Sequence, residues 1–198
     1  MPCSSSYQNI DELKNKMRQD FLKKRQSLND EVRQEKNDKI KENFFSIFNL
    51  GTHLIIAGYM PILGEVDCIP LLQQLYKEKC KIVIPIVEEH NQSLRFCLWE
   101  PDMVMDKGKF GINVPVHMSS FYDPDFLIVP MLAFDKNGYR LGYGKGFYDR
   151  TLASLKHIKN IQTVGLAFSC QYSEIIPHQG HDEPLNWIIT DEKINKIK

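Results

Sequence analysis

Between residues 10 and 28, apolar side chains recur at helical spacing. Leu13, Met17, Phe21 and Leu28 form the row, with Lys14, Lys16, Arg18, Lys23, Lys24 and Arg25 around it. This predicts a basic amphipathic helix with Leu13 and Phe21 on its apolar stripe. Asn29 before Asp30 and Glu31 supplies an N-cap and an acidic first turn. Val32, Ile40, Phe44 and Phe48 then mark a second helix that stops near Gly51. Further on, short apolar runs at 54–59, 81–86, 126–129, 163–168 and 187–189 alternate with helical patterns at 69–79 and 147–155, an α/β rhythm. Runs that are apolar at every position, such as Phe126-Leu127-Ile128-Val129, suit strands buried on both faces of a mostly parallel sheet. Residues 94–99 read as one more strand. Residues 100–125, rich in Gly, Pro, Met and Asp, read as a long excursion over a site.

No internal repeat and no long Pro/Gly/Ser linker divides the chain, so residues 1–198 are expected to form a single domain. An apolar share of 42% beside a charged share of 25% excludes a disordered or coiled-coil chain. Twenty-five Lys plus Arg balance 25 Asp plus Glu, so no global field draws the molecule to nucleic acid or an anionic membrane. Any anion site must be a local cluster. The longest uncharged apolar stretch, residues 54–64, has 11 residues, against the roughly 20 that span a bilayer. Five scattered cysteines without a C-x-x-C pair suggest neither a disulfide framework nor a zinc knuckle, and the expected home is a reducing cytoplasm. The start of the chain carries no secretory or transit pattern and is read as mature.

The segment richest in candidate chemistry runs from Phe134 to Arg150, FDKNGYRLGYGKGFYDR, with four glycines at 138, 142, 144 and 146 between a buried strand and a helix. Glycine lets backbone N–H groups turn toward an anion, the helix N-terminus adds partial positive charge, and Arg140, Lys145 and Arg150 add full charges. The segment is neither a Walker A loop nor a complete G-x-G-x-x-G. A phosphate site and a merely flexible turn are the two readings. Asp149, in the first turn of the helix, could hold Mg²⁺ with Asp182 as a partner, or serve only the helix dipole. His178 and His181 lack an obvious third ligand for zinc. The loop after the first strand offers Tyr59 and Met60 as a wall for an aromatic ring and Glu65 as an acceptor for ring N–H groups; alternatively Glu65 caps the next helix. Lys14 and Arg18, four apart, share a helical face and could close over phosphates together.

These residues resemble the 5-formyltetrahydrofolate cyclo-ligase family, also called 5,10-methenyltetrahydrofolate synthetase. Residues 134–149 follow that family's F-D-x-x-G-x-R-L-G-x-G-x-G-[YF]-Y-D signature nearly throughout. Lys14 with Arg18, the 59–67 loop and His181-Asp182 match in the right order. The resemblance implies a three-layer α/β domain with a mixed, mostly parallel sheet, akin to the sugar-phosphate isomerase and CoA-transferase group. It further implies ATP and Mg²⁺ as requirements and 5-formyltetrahydrofolate as substrate. By resemblance, Lys14, Arg18, Arg140, Leu141, Gly142, Tyr143, Gly144, Lys145, Gly146, Phe147 and Tyr148 contact ATP, with Lys145 and Arg140 assisting phosphoryl transfer. Asp149 and Asp182 hold Mg²⁺. Tyr59, Met60, Glu65, Phe110 and residues 143–147 contact the folate. Two departures stand out: Phe147 where some relatives have Tyr, and Phe110 where some have Trp.

The implied reaction is ATP-dependent cyclisation to 5,10-methenyltetrahydrofolate, through phosphorylation of the formyl oxygen and attack by N10. A sugar-phosphate isomerase or a non-catalytic nucleotide- or RNA-binding module on the same fold are the alternatives. No nucleic acid, no membrane and a monomer are expected.

Overall fold

A computed structural model describes residues 4–89 and 92–197; Cys3 and the first residues of the chain lie outside them. The helical periodicity of the N-terminal third appears as α1 (Ser4–Gln26) and α2 (Asp30–Ile47), the latter capped by Asn29, whose side chain accepts from the Val32 N–H at 2.8 Å. There follow β1 (Ile55–Ala57), α3 (Ile69–Lys77), β2 (Lys81–Ile86), β3 (Arg95–Leu98), β4 (Met105–Lys107), β5 (Asn113–Pro115), β6 (Phe126–Pro130), β7 (Ala133–Phe134), β8 (Arg140–Leu141), α4 (Phe147–Ile158), β9 (Gln162–Leu166), β10 (Trp187–Ile189) and β11 (Ile194–Lys196).

The main sheet has the order β11-β10-β9-β6-β1-β2-β3. Its five central strands are parallel, and the edge strands β3 and β11 run antiparallel. The expected mixed, mostly parallel sheet is therefore present, with 94–99 supplying its edge strand. Alternation along β6 explains the uninterrupted apolar run there. Phe126 and Ile128 pack with Ile40 and Phe44 of α2 and Leu71, Leu72 and Leu75 of α3, while Leu127 and Val129 pack with Leu152 and Leu155 of α4. Helices on both faces leave no polar side on that strand.

Chain order reverses between β1 and β6: from β1 the chain proceeds outward through β2, and from β6 outward through β9 and β10. The loops leaving the carboxyl ends of β1 and β6 thus diverge, opening a crevice at the switch point where open α/β sheets bind ligands.

One expectation needs correction. Leu13 is exposed, whereas Lys14 and Arg25 are buried beside Phe21, so α1 turns cations inward because it covers a polar crevice as well as apolar core. The excursion over residues 100–125 contains a hairpin, β4 paired with β5, whose turn carries Phe110 at the cleft. Cys68, Cys80, Cys97 and Cys170 are all free thiols. No described helix is long and apolar enough to cross a membrane.

Candidate active site

The crevice holds a cleft of about 900 Å³ reaching from Lys14 and Arg18 on α1, past the 142–146 loop, to Tyr59, Glu65 and Phe110. All of the site residues expected from the sequence line it.

The glycine-rich loop owes its path to the hairpin β7–β8. Buried Asp135 accepts the N–H groups of Asn137, Tyr139 and Ile176, which fixes the turn before β8. Gly144 (φ 88°) and Gly146 (φ 65°) then adopt left-handed backbone, a conformation that a β-carbon disfavours. A β-carbon on Gly144 would also lie 3.0 Å from Arg18 Cζ. Glycine at 144 therefore lets the α1 guanidinium lie against the loop, where Arg18 Nε donates to Gly142 O at 2.9 Å. Burial holds the Arg18 pKa below its ordinary value despite Asp11 and Asp182. Lys145 is exposed at the crest of the loop. Gly146 is the N-cap of α4, so the N-terminus of a 12-residue helix faces the cleft.

Behind the loop stand two charge pairs. Lys14 Nζ donates to Asp182 Oδ2 at 2.8 Å, and Arg140 Nη2 to Asp149 Oδ1 at 2.7 Å. Arg140 also donates to Glu183 O; with its side chain only 4% exposed, it acts as an anchor for Asp149 and the 182–183 segment. Burial lowers the Arg140 pKa, and Asp149 opposes that shift. Burial disfavours the Asp182 carboxylate, but the Lys14 hydrogen bond, the Gln179 N–H and the Lys14 charge outweigh it and leave its pKa below the ordinary value. Among the described residues, Asp149 Oδ2 and Asp182 Oδ1 accept no hydrogen bond. Each carboxylate thus keeps one oxygen with which it could hold a Mg²⁺ that takes its other ligands from phosphate and water. Zinc has no comparable site: no three His, Cys, Asp or Glu side chains gather among the described residues. His178 instead stacks on Tyr139, with ring centroids 3.6 Å apart.

The other end of the cleft is built by the loop after β1. Glu65 does not cap α3, whose N-cap is Cys68. Its Oε2 accepts from Ile62 N at 3.0 Å and its Oε1 from the Tyr143 hydroxyl at 3.1 Å. Burial pushes the Glu65 pKa up, and the Ile62 N–H, the Arg25 charge and the Tyr143 hydroxyl oppose it only in part. Tyr59 is buried, with its hydroxyl committed to Val66 O at 2.8 Å, so it offers ring surface rather than a free hydroxyl. Phe110 sits in the β4–β5 turn with its ring centroid 6.2 Å from that of Phe147, and the two form an aromatic wall.

Arg25 is the residue that sequence reasoning passed over. Positions 14, 18 and 25 fall on one face at 100° per residue, a signal obscured when α1 is read for its apolar stripe.

A family model described as the 5-formyltetrahydrofolate cyclo-ligase family matches residues 10–191. The chain belongs to this family. Among cyclo-ligase relatives, 5-formyltetrahydrofolate cyclo-ligase of Escherichia coli K12 is 34% identical over 144 residues, covering 70% of this chain and 79% of the relative. The Haemophilus influenzae cyclo-ligase is 36% identical over 135 residues, covering 66% and 72%. The solution structure of Aquifex aeolicus 5,10-methenyltetrahydrofolate synthetase superposes with a TM-score of 0.80 at 34% identity, covering 94% of this chain and 93% of that one.

Proposed function

We propose that the protein cyclises 5-formyltetrahydrofolate to 5,10-methenyltetrahydrofolate, with ATP cleaved to ADP and phosphate. The observation that carries this reading is a single cleft with a phosphate-type loop and clustered cations at one end and a buried carboxylate under an aromatic wall at the other. Its volume of about 900 Å³ lies at the upper end of the roughly 300–1,000 Å³ usual for ligand pockets, and suits two substrates meeting.

The formyl amide on N5 is a poor electrophile. Transfer of the γ-phosphoryl group to the formyl oxygen forms an O–P bond and breaks the bond to ADP, which turns that oxygen into a leaving group. N10 then attacks the formyl carbon, its proton passes to solvent, and the C–O bond breaks to release phosphate. No protein nucleophile is needed. Lys14, Arg18, Lys145 and the loop N–H groups bind and orient the phosphates, an arrangement in which positioning and charge neutralisation supply catalysis. Asp149 and Asp182 would hold Mg²⁺, which supplies compensation of phosphate charge. Arg140 keeps Asp149 aimed at the cleft. Glu65 keeps acceptor capacity on both oxygens beyond its two internal bonds and would take the pterin N–H groups, with Tyr59, Met60, Phe110 and Phe147 walling the ring.

The same reading covers one domain over residues 1–198, kinship with the sugar-phosphate isomerase and CoA-transferase group, a cytoplasmic monomer, and no nucleic-acid partner. The test is the ultraviolet absorbance of the methenyl product after addition of protein to 5-formyltetrahydrofolate and MgATP. A rise that vanishes on omitting ATP or Mg²⁺ is expected. No rise from folded protein that still binds ATP would overturn the cyclo-ligase reading.

A further inference from the structure

Arg25, near the end of α1, is completely shielded from solvent. A guanidinium does not lose its proton inside a protein, so it carries a full charge into the interior, and buried charge normally persists beside a carboxylate. Arg25 makes no ion pair among the described residues. Its partners are neutral oxygens on three separate segments: Nη1 donates to Met131 O at 3.0 Å, and Nη2 to Leu63 O at 3.0 Å and to the Tyr143 hydroxyl at 2.6 Å. Its Nε has no partner. A charge held this way, with one donor unsatisfied, is a poor device for stability alone.

What the three segments share is the cleft. Met131 follows β6, Tyr143 belongs to the glycine-rich loop, and Leu63 precedes Glu65. Leu63 (φ 50°) and Gly64 (φ 76°) are consecutive left-handed residues, and leucine adopts that conformation only under constraint. The constraint is visible in two arginines: Arg25 on Leu63 O, and Arg33 Nη1 on Gly64 O at 2.9 Å. The turn so held returns Glu65 onto Ile62 N. Arginine has no acceptor, so the Tyr143 hydroxyl accepts from Arg25 and is left to donate its single proton to Glu65 Oε1.

We infer that Arg25 is a positioning residue for the pterin-recognising carboxylate: through Leu63 O and the Tyr143 hydroxyl it aims Glu65 into the cleft, tying the substrate loop to the phosphate loop. The inference rests on the cyclo-ligase reading and on Glu65 contacting the pterin. The groups facing Glu65 are Arg25 from α1, Tyr143 from the glycine-rich loop, Tyr59 after β1, Cys68 before α3 and Tyr148 from α4. Arg25 is the cation among them, and Arg33 from α2 lies on the adjoining Gly64 O. Burial and the Glu65 charge push the Tyr143 hydroxyl up to about 12, so it stays a donor at neutral pH.

The experiment uses the full chain and compares Arg25→Met, Arg25→Lys, Tyr143→Phe and Glu65→Gln. It reads kcat, KM for each substrate, and the pH profile of kcat/KM for 5-formyltetrahydrofolate. Arg25→Met should raise the folate KM roughly 10- to 100-fold and the ATP KM less than about threefold. The acidic limb that disappears in Glu65→Gln should move to higher pH when the Arg25 charge is removed, because a nearby cation favours the carboxylate. Arg25→Lys should restore part of both effects, and Tyr143→Phe should give the same upward movement at smaller size. If Arg25→Met fails to fold, Arg25→Lys and Tyr143→Phe carry the test. An unmoved limb in both, with equal changes in the two KM values, would overturn the role of Arg25 while leaving the cyclo-ligase reading intact. No turnover by the unaltered protein would instead overturn that reading, and this assignment with it.

Discussion

Lys14 Nζ, on the first helix, lies 2.8 Å from Asp182 Oδ2, near the other end of the chain. The contact joins the two ends of the chain at the cleft, and against burial the Lys14 hydrogen bond and the Gln179 N–H hold the Asp182 pKa below its ordinary value. A carboxylate whose folded pKa is depressed contributes stability that is complete above its unfolded pKa and is lost as pH falls through the folded one. The unaltered protein should therefore lose thermal stability as pH falls below about 4, and Asp182→Asn should be less stable at pH 7 but flatter across that window. Melting curves from pH 3 to 7 decide it; parallel curves for the two proteins would contradict the assignment.

Asp149 has a structural duty that limits how it can be tested. It is the carboxylate beside the nearly buried Arg140, so Asp149→Ala leaves that guanidinium unpaired, at a cost of roughly 3–5 kcal/mol for a buried pair. Asp149→Asn keeps an acceptor oxygen. We expect it to fold and to lose nearly all Mg²⁺-dependent turnover; retention of wild-type kcat at saturating Mg²⁺ would remove Asp149 from the metal site.

Lys145 is exposed, and its ammonium makes no hydrogen bond among the described residues. Lys145→Ala should leave the unfolding free energy within about 0.5 kcal/mol of the unaltered protein and raise the KM for ATP. An unchanged ATP dependence would take Lys145 out of the phosphate site.

Gly144 and Gly142 make a matched pair. Gly144→Ala forces a β-carbon into left-handed backbone and against Arg18, and should cost about 1–2 kcal/mol and most of the activity. A β-carbon on Gly142 meets nothing within 4 Å, so Gly142→Ala should be stable. If its backbone approaches phosphate, the same variant should still show weaker ATP binding by titration calorimetry.

For Glu65 the sign runs the other way from Asp182. A carboxylate whose folded pKa is raised contributes stability that is present below its unfolded pKa and lost as pH rises through the folded value. Glu65→Gln should therefore gain stability relative to the unaltered protein as pH rises above about 4, while its KM for the folate rises. A stability difference that does not change with pH would mean that burial is not perturbing Glu65.

The helices, the buried strands and the glycine-rich strand-to-helix loop were legible in the sequence because each is a local matter. Periodicity places Ile40 and Phe44 on one helix face, the unbroken apolar run from Phe126 to Val129 suits a strand covered on both sides, and glycines at 142, 144 and 146 before a helix mark a loop with little side-chain cover. The 134–149 signature carried the family. Tertiary structure decided the pairings across the chain: Lys14 with Asp182, Arg140 with Asp149, and Arg25 with Leu63, Met131 and Tyr143. It also turned two cations of α1 inward beside the expected stripe, burying Lys14 and Arg25 while leaving Leu13 exposed. The physical reason is that periodicity reports where apolar surface can be buried, whereas the orientation of a cation depends on which carbonyls and carboxylates distant segments bring to it. Those segments meet only because the strand order reverses between β1 and β6.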